Sequence, residues 1–358
     1  MPELSKRVSS FEKLGLIFRS LDNSSQDVEL TNNEKEKFNS LEDIVCNEFH
    51  FNGWFIEANV RQMLLAVGKS LEKQKLEKWL STYLPSLETK KEGITIAVVM
   101  AGNIPAVGFH DFLTVLISGN KLLAKLSSDD EKLLPAIAEL LIAIEPDFEN
   151  KIEFTNNQIK SFDAVIATGS DNSSRYFQYY FGKYPNIIRK NRNGIAVLSG
   201  NETALELEGL ADDIFFYYGL GCRNVSKIFV PHGYDLNTLL DVLSERKKIV
   251  ENNKYFNNYE YNKAIFLVNS REHFDTGTVL LVEEEQIASP VSVLNFEYYT
   301  DEHALTKRLI LDTDKIQCVV SNLDSIPEKV PFGKSQQPEL WDYADGVDTM
   351  EFILGLVE

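Results

Sequence analysis

The sequence predicts an α/β fold, in which a doubly wound parallel sheet is preceded by helices and followed by a second α/β domain. The first 90 residues show helical periodicity and almost no strand signal. Beyond them, short β-branched runs alternate with apolar runs of helical length, the order that produces βαβ units. The chain of 358 residues also exceeds what one ordinary core supports, which indicates two domains.

The N-terminal helices are predicted from apolar residues that recur at steps of three and four. The clearest stretch has its apolar positions at Phe55, Val60, Met63, Leu64, Val67, Leu71, Leu76, Trp79 and Leu80. The pattern changes at "GITIAVVMAGNIP", a β-branched run typical of a strand buried on both faces of a parallel sheet. A helix is expected over residues 109–117, and Gly119-Asn120 marks its end.

The same alternation continues along the chain. We predict a strand at "KLLAKLSS", a helix at "LLPAIAELLIAI" and a strand at "FDAVIATGS". A helix then begins at "DNSSRYFQYYF", for which Asp171, Asn172 or Ser173 is available as the cap. After a polar helix at "NETALELEGLADDI", the second domain is expected to hold strands at "SKIFVP", "KAIFLV", "TVLLVE" and "VSVLNFEYY", and a helix at "LNTLLDVLSERKKIV".

Composition indicates which binding partners and which cellular compartment to expect. Lys+Arg 36 against Asp+Glu 54 gives a net charge of −18, which argues against binding to nucleic acid or to anionic membranes. The three cysteines fit neither a disulfide framework nor a zinc site and indicate a reducing compartment. No run approaches the roughly 18 apolar residues of a membrane helix, and no signal peptide is evident. We therefore expect a cytoplasmic protein without membrane insertion and without a metal site.

One cysteine, Cys222 in "YYGLGCRNVSKIFVP", lies between a helical pattern and a strand pattern. A free cysteine is usually an inert, buried, small hydrophobe. Here, however, Gly219 and Gly221 can take conformations that a side chain forbids, so the chain can turn sharply and a substrate can approach the main chain. We therefore predict that Cys222 is a nucleophile. Cys46 and Cys318 lie in helix-like and strand-like surroundings, and we expect both to be structural.

Polar residues follow each strand predicted in the first α/β domain, where doubly wound sheets bind their ligands. They are Asn103 after the first strand, Lys125, Ser127 and Ser128 after the second, and Thr168, Gly169 and Ser170 after the third. The N–H groups of the helix that follows the third strand could hold an anion such as a pyrophosphate. Asn and Ser are also ordinary turn formers, and the G-x-G-x-x-G dinucleotide motif is absent, so both interpretations stay open.

Four segments, in order, resemble the motifs of the aldehyde dehydrogenase superfamily. "MAGNIPAVGFHDFLTVLISGNKLLAKLSS" resembles the series Asn-x-Pro, helix, Gly-Asn, Lys-Pro-Ser-Glu that opens its cofactor domain, and "ATGS" resembles its Thr-Gly-Ser. "GLGCRNVSKIFVP" resembles its Gly-Gln-x-Cys segment and "PFGKSQQPELWDYADGVDTMEFI" its Pro-Phe-Gly-Gly tail. Within that superfamily the chain is similar to the acyl-CoA reductases related to the bioluminescence fatty-acid reductase, the LuxC family. The resemblance implies an aldehyde dehydrogenase-like fold with a Rossmann-type cofactor domain.

The resemblance also implies roles for the residues that match these motifs. Cys222 matches the catalytic nucleophile, and Asn103 matches the oxyanion-hole asparagine. A nicotinamide cofactor is expected at Lys125, Ser127 and Ser128 (adenosine ribose), at Thr168, Gly169 and Ser170 (pyrophosphate or nicotinamide), and at Gln286 (nicotinamide ribose). The implied domains are an N-terminal helical segment (1–89) on the cofactor domain (90–200), a catalytic domain (201–335) and a C-terminal tail (336–358).

Departures from the family pattern bear on the mechanism. Aldehyde-oxidising members carry a general-base glutamate before the cysteine helix, whereas "PNIIRKNRNGIAVLSG" (185–200) contains no Asp or Glu. Without that base, the acyl-enzyme is expected to wait for a hydride or for coenzyme A rather than for water. With Pro290 as the register, Gln286 replaces the glutamate that binds the nicotinamide ribose and Ala288 replaces a phenylalanine. Glu285 could serve instead after a shift of one residue.

The resemblance therefore implies reduction of an acyl-CoA thioester to the aldehyde, through an acyl-enzyme on Cys222 and hydride from NADPH or NADH. NADPH is favoured because Ser128 stands where NAD-dependent relatives carry a glutamate, while Lys125 remains as a cation. Ser128 as a cap of the acidic turn that follows is the alternative. The expected partners are acyl-CoA and either a second copy of the chain or an enzyme that supplies the acyl group. Reduction of an acyl phosphate or of an acyl-carrier-protein thioester, and a non-catalytic scaffold role, stay open.

Two residues close to these motifs have two interpretations each. His110 could contact substrate or cofactor phosphates, or it could be an ordinary histidine on a helix face. Arg223, which follows the cysteine, could lower the pKa of the Cys222 thiol or form a surface ion pair.

Overall fold

The computed structural model describes residues 2–21, 28–89 and 93–357, and the chain forms two compact units. Unit 1 comprises Met1–Lys190 and Gln337–Glu358, and unit 2 comprises Asn191–Gln336. Unit 2 begins at residue 191 rather than at 201, because a strand within residues 191–200 pairs with strands of unit 2. The C-terminal residues belong to unit 1. Among the described residues, no helix is both long enough and apolar enough to span a membrane.

The N-terminal part of unit 1 is helical, as predicted. Its helices are α1 (Leu4–Arg19), α2 (Asn32–Asn47), α3 (Glu57–Ser70), α4 (Lys73–Ser81) and α5 (Leu84–Thr89). α2 begins with a capping box, in which the side chains of Thr31 and Glu34 accept each other's backbone N–H groups. Phe11 and Phe18 of α1 are fully buried in a core that also includes the helices packed on the sheet. The N-terminal helices therefore extend one continuous hydrophobic core.

Unit 1 contains a parallel five-stranded sheet in the order β3-β2-β1-β4-β5. The strands are β1 (Thr95–Val99), β2 (Lys121–Lys125), β3 (Ile152–Thr155), β4 (Ala164–Thr168) and β5 (Asn186–Arg189). The helices between them are α6 (Phe109–Ile117), α7 (Leu133–Ile144) and α8 (Asp171–Phe181). The strand order reverses between β1 and β4, which is the switch point where doubly wound sheets bind ligands. This topology confirms the predicted doubly wound sheet.

Local sequence explains the elements at this switch point. The three middle residues of β1 are apolar and buried, as expected for a central parallel strand. α6 is followed by Gly119, which has φ of 87°, a left-handed conformation that glycine takes at low cost. α8 is capped by Ser170 rather than by one of the three predicted residues, because the Ser170 hydroxyl accepts the N–H of Ser173.

Unit 2 contains a six-stranded sheet in the order β11-β6-β7-β10-β9-β8, in which the short edge strand β8 is antiparallel to β9. The strands are β6 (Asn193–Val197), β7 (Val225–Pro231), β8 (Phe274–Asp275), β9 (Leu280–Glu283), β10 (Val293–Tyr299) and β11 (Ile316–Ser321). The helices are α9 (Ala204–Phe215), α10 (Asn237–Ser244), α11 (Asn253–Val268) and α12 (Glu302–Leu311). A last helix, α13 (Thr349–Leu354), packs on α6 in unit 1.

One predicted strand is wrong. The segment "KAIFLV" (263–268) forms the end of α11, which begins at residue 253 after the cap Asn252. A short apolar run fits a buried strand and a buried helix equally well, and only the length of the whole element separates them.

Candidate active site

The cysteine turn, residues 216–224, connects α9 to β7 and has a strained backbone. Tyr217, Tyr218 and Gly219 are left-handed, with φ of 51°, 59° and 75°. This conformation costs a residue other than glycine about 1–2 kcal/mol, so the surroundings must hold both tyrosines in place. Both tyrosine side chains are buried. The predicted bend is present at Gly219, whereas Gly221 does not have a positive φ.

Asn224 holds the cysteine turn from inside. Its side-chain oxygen accepts the N–H of Gly221 at 2.8 Å. Its amide nitrogen donates to the backbone oxygens of Asp213 at 3.0 Å and Phe216 at 2.8 Å. Asn224 is buried, and its bonds fix the turn against the end of α9.

A buried carboxylate, Asp213, joins α9 to the loop that contains "PFGKS". Its two oxygens accept the backbone N–H groups of Gly333 at 2.7 Å and Ser335 at 2.9 Å. Burial raises the pKa of Asp213 to about 6, against the effect of these N–H groups. Arg223 donates from Nε to the carbonyl oxygen of Ser335 at 2.6 Å. The loop is therefore bonded both to α9 and to the residue after Cys222.

Cys222 is half-buried and forms no disulfide. It lies three residues before Val225, the first residue of β7, and so at the amino end of that strand. Cys46 is exposed on α2, and Cys318 is buried in β11. Cys222 alone of the three combines a strained turn with partial access to solvent, the surroundings in which reactive cysteines occur.

In unit 1, the residues predicted from the strand ends lie along one edge of the sheet. Because β1 lies between β2 and β4, Asn103, Lys125 and Thr168 stand at or just beyond the carboxyl ends of three neighbouring strands. The loops after β1 and β2 touch, since a Cβ built on Gly102 would lie 2.5 Å from the Ser127 Oγ. Only a glycine permits this approach.

A buried ion pair supports this edge, and no local sequence pattern indicates it. The Arg189 guanidinium binds Asp111 in a two-pronged geometry, with Nη1 2.6 Å from Oδ2 and Nη2 2.9 Å from Oδ1. Nη2 also donates to Thr349 Oγ1 at 2.9 Å, and Nη1 lies 3.5 Å from the hydroxyl of Thr168. Such pairs are strong and directional, so the end of β5 is held against α6, beside the end of β4.

The edge of the unit 1 sheet carries the kinds of group that bind a dinucleotide, namely a cation, backbone N–H donors and a hydroxyl. The half-buried Lys125 ammonium forms no ion pair with any described residue, so its charge is available to an anion. The first turn of α8, capped by Ser170, presents backbone N–H groups beside Gly169, at the end of β4. Ser128 is exposed at the end of the neighbouring loop.

The structure also shows the surroundings of Gln286 and His110. Gln286 is exposed in the loop between β9 and β10 of unit 2. His110 packs between the rings of Trp79 and Tyr343, and its Nε2 donates to the carbonyl oxygen of Leu340 at 2.9 Å. His110 therefore has structural partners on a helix face, which supports the second of its two interpretations.

Solved structures of aldehyde dehydrogenases share this fold. Aldehyde dehydrogenase 21 from Physcomitrella patens, solved with succinate, matches with a TM-score of 0.63 and 11% identity, over 99% of this chain and 87% of that one. An Escherichia coli NADP-dependent enzyme matches at 0.61 and 12%, over 93% and 81% of the two chains. A lactaldehyde dehydrogenase matches at 0.59 and 12%, over 91% and 76%. At these identities the likeness shows the fold alone.

Sequence similarity identifies the family within this fold. No curated protein matches the chain in sequence. The family model described as acyl-CoA reductase (LuxC) matches residues 56–247, more than half of the chain, and the match includes Asn103 and Cys222. The chain therefore belongs to the LuxC family of acyl-CoA reductases, enzymes of the aldehyde dehydrogenase type that form aldehydes by reduction.

Proposed function

We propose that the protein reduces acyl-CoA thioesters to aldehydes, with Cys222 as the nucleophile and a nicotinamide cofactor as the hydride donor. The observation that carries this proposal is the cysteine turn, in which a strained and internally bonded backbone presents a half-buried cysteine. Backbone strain of this kind concentrates at functional sites, where the surrounding structure maintains it.

The covalent step follows from the chemistry of sulfur. The Cys222 thiolate attacks the thioester carbon, a new C–S bond forms, and coenzyme A leaves with the electron pair of its own C–S bond. The product is again a thioester, so the free-energy change of the exchange is close to zero. The side-chain amide of Asn103 and the backbone N–H of Cys222 donate hydrogen bonds to the thioester carbonyl oxygen and stabilise the negative charge that develops on it during the attack. When bound, the reduced nicotinamide supplies a hydride to the acyl carbon, and the sulfur leaves as the aldehyde forms.

Two features favour reduction over hydrolysis and NADPH over NADH. Residues 185–200, which include β5 and β6, supply no carboxylate that could activate water. On the adenosine ribose, Lys125 offers a cation, and Ser127 and Ser128 offer hydroxyls without a negative charge. We assign Thr168, Gly169 and Ser170 to the pyrophosphate or the nicotinamide, and Gln286 to the nicotinamide ribose. We further propose that the enzyme works in the cytoplasm, as a homo-oligomer or with an enzyme that supplies the acyl group.

The test is covalent labelling of the enzyme by a radiolabelled acyl-CoA in the absence of cofactor. The wild type should retain about one acyl group per chain, and NADPH should release it as aldehyde. Cys222→Ala should retain none, whereas Cys46→Ala, which removes an exposed cysteine, should label like the wild type. Label on the Cys222→Ala protein would refute the assignment. Acyl phosphate and acyl-carrier-protein donors in the same assay identify the preferred acyl donor, and a chain labelled by none of them is a scaffold.

A further inference from the structure

Side chains from other elements hold five consecutive backbone carbonyls in the loop that contains Gln286, residues 284–288. The donors are Lys227 Nζ to Glu284 (2.9 Å) and Glu285 (2.8 Å), Arg308 Nη2 to Glu285 (2.6 Å), Asn295 Nδ2 to Gln286 (2.9 Å) and Ala288 (3.2 Å), and Ser226 Oγ to Ile287 (2.8 Å). An irregular segment with every carbonyl bonded in this way is held in one backbone conformation.

Lys227 is the least expected member of this set, because lysine is almost never fully buried. It is 0% exposed, and its ammonium donates to two loop carbonyls and to the carboxylate of Glu297. Burial lowers the pKa of Lys227, and Glu297 opposes this effect; Arg308 and Asp312 also face the ammonium. Taking an ammonium out of water is strongly unfavourable, and an apolar residue would fill the same core position. The buried ammonium contributes two hydrogen bonds that an apolar residue could not make, and these fix the backbone of residues 284–288.

The loop side chains divide into one anchor and two exposed groups. Ile287 is buried in the core of unit 2. The side chains of Glu285 and Gln286 are exposed and hydrogen-bond to no residue that the structure describes. A fixed backbone with two available acceptor groups is preorganised for a ligand that carries several hydroxyl groups.

Loop 284–288 begins at the carboxyl end of β9 and runs back toward the start of β7, where Ser226 donates to the carbonyl of Ile287. Lys227 and Asn295, which hold the loop, are register partners on the neighbouring strands β7 and β10. Ser226 and Lys227 are the second and third residues of β7, and Cys222 precedes that strand by three residues. The loop backbone is therefore bonded to the first half of β7, the strand that Cys222 precedes.

We infer that Lys227 is a positioning residue that fixes loop 284–288, so that Glu285 and Gln286 accept hydrogen bonds from ribose hydroxyls of the nicotinamide cofactor. This inference rests on the proposed function, because it takes that cofactor as the ligand. Lys227 acts through the loop backbone and is not itself a ligand of the cofactor.

The experiment compares Lys227→Met with Lys329→Met. Met keeps the length of the side chain and removes its donors. Lys329 is a matched control, since its ammonium also donates to two consecutive carbonyls, Asn322 at 3.2 Å and Leu323 at 2.6 Å, and to the carboxylate of Asp324. The readouts are the Kd of NADPH by fluorescence, acylation of Cys222 without cofactor, and hydrogen exchange of residues 284–292 in the cofactor-free protein.

Lys227→Met should raise the Kd of NADPH about tenfold or more, a loss of about 1.4 kcal/mol. The same variant should speed hydrogen exchange in 284–292, while acylation of Cys222 stays within about twofold of wild type. Lys329→Met should leave the NADPH Kd and the exchange of 284–292 unchanged. Equal losses of acylation and of NADPH binding in Lys227→Met would show a general structural role and overturn the inference.

Asn295→Leu provides a second route if Lys227→Met does not fold, because it removes the bonds to Gln286 and Ala288 and leaves the cation in place. The same rise in the NADPH Kd, with acylation retained, supports the inference, and an unchanged Kd overturns it. A wild type that does not bind NADPH or NADH defeats the proposed function together with the inference. A wild type that binds NADPH, beside variants that bind it equally well, defeats the inference alone.

Discussion

The carboxylate of Asp130 accepts a hydrogen bond from the backbone N–H of Ala106, with 2.7 Å between Oδ2 and the nitrogen. Ala106 is left-handed, with φ of 48°, and lies three residues after Asn103 in the loop that follows β1. Asp130 belongs to the loop that follows β2, which also contains Ser127. This bond therefore joins the loop of the proposed oxyanion donor to the loop of the proposed ribose contacts.

Asp130→Asn should stabilise the protein relative to wild type as the pH rises. Burial raises the pKa of Asp130 to about 6, and Glu48 adds to the effect. A carboxyl with a raised pKa contributes stability below its unfolded pKa and loses it as the pH rises through the folded value. The amide keeps an oxygen for Ala106 and cannot ionise. Thermal unfolding from about pH 5 to about pH 7.5 should widen the difference in favour of Asp130→Asn by about 1 kcal/mol or more.

The matched control is Asp147→Asn, because Asp147 is an exposed carboxylate in unit 1. Its difference from wild type should not change over the same pH range. If the stability difference between Asp130→Asn and wild type is also constant with pH, then Asp130 does not titrate there and this prediction is wrong.

Asp213→Asn should stabilise the protein less than Asp130→Asn does at neutral pH, although the pKa of Asp213 is also raised to about 6. Both oxygens of Asp213 accept backbone N–H groups, from Gly333 and Ser335, whereas Oδ1 of Asp130 has no hydrogen-bond partner among the described residues. An amide would turn a donor toward one of these N–H groups and leave it unsatisfied, at a cost of about 1–3 kcal/mol. Thermal unfolding of both variants at about pH 7.5 measures this cost as the difference between their midpoints, and equal midpoint shifts would contradict the prediction.

The sequence was informative where local chemistry decides the structure. β1, α6, β2 and α7 lie where the apolar periodicity predicts them, and the left-handed Gly119 ends α6 as expected. The edge strands β3 and β5 were not predicted, because half-exposed edge strands lack the continuous apolar run of a central strand. The segment 263–268 was assigned to a strand because its apolar run hides the end of a longer helix.

The parts of the site that sequence could not reveal depend on contacts between distant residues. Lys227 in "SKIFVP" looks like an ordinary lysine on a strand, and its loop partners lie 57 and 58 residues further along the chain. Arg189 and Asp111 are separated by 78 residues. Cys222 could be predicted because the glycines that make its bend are its neighbours in the sequence. Contacts such as those of Lys227 and Arg189 join residues far apart in the sequence, so only the folded structure identifies them.

Asn103→Ala should lower kcat by about 10²–10³ and change KM for acyl-CoA only a few-fold, because an oxyanion donor acts mainly in the transition state. Asn103 is exposed beyond the end of β1, so the substitution should not unfold unit 1. Steady-state kinetics with acyl-CoA and NADPH measure both constants. An unchanged kcat would remove Asn103 from the site, and a rise in KM alone would indicate a binding role.

Our proposal that NADPH is preferred depends on Ser128, for which the sequence left a cofactor contact and a capping role as the two interpretations. The hydroxyl that accepts the N–H of Asp129 and closes the acidic turn belongs to Ser127, not to Ser128. Helix α7 begins only at Leu133, so Ser128 does not cap it. Ser128 is exposed, and its hydroxyl bonds to no residue that the structure describes. The capping alternative for Ser128 therefore has no contact to support it.

We expect kcat/KM to be higher with NADPH than with NADH, and Ser128→Glu to reverse this preference by weakening NADPH alone. A 2′-phosphate would meet the Lys125 cation, and a charge-assisted bond of this kind contributes about 1.5–3 kcal/mol. The exposed carboxylate of Asp129 opposes the phosphate, so the preference should be moderate, about tenfold. A glutamate at 128 would repel the phosphate and accept hydrogen bonds from the ribose hydroxyls of NADH.

Ser128→Ala is the matched control, since it removes the hydroxyl without adding charge and should keep the NADPH preference. Steady-state kinetics with both cofactors on all three proteins decide the matter, and a wild type that prefers NADH by about tenfold would show that Lys125 does not bind a 2′-phosphate.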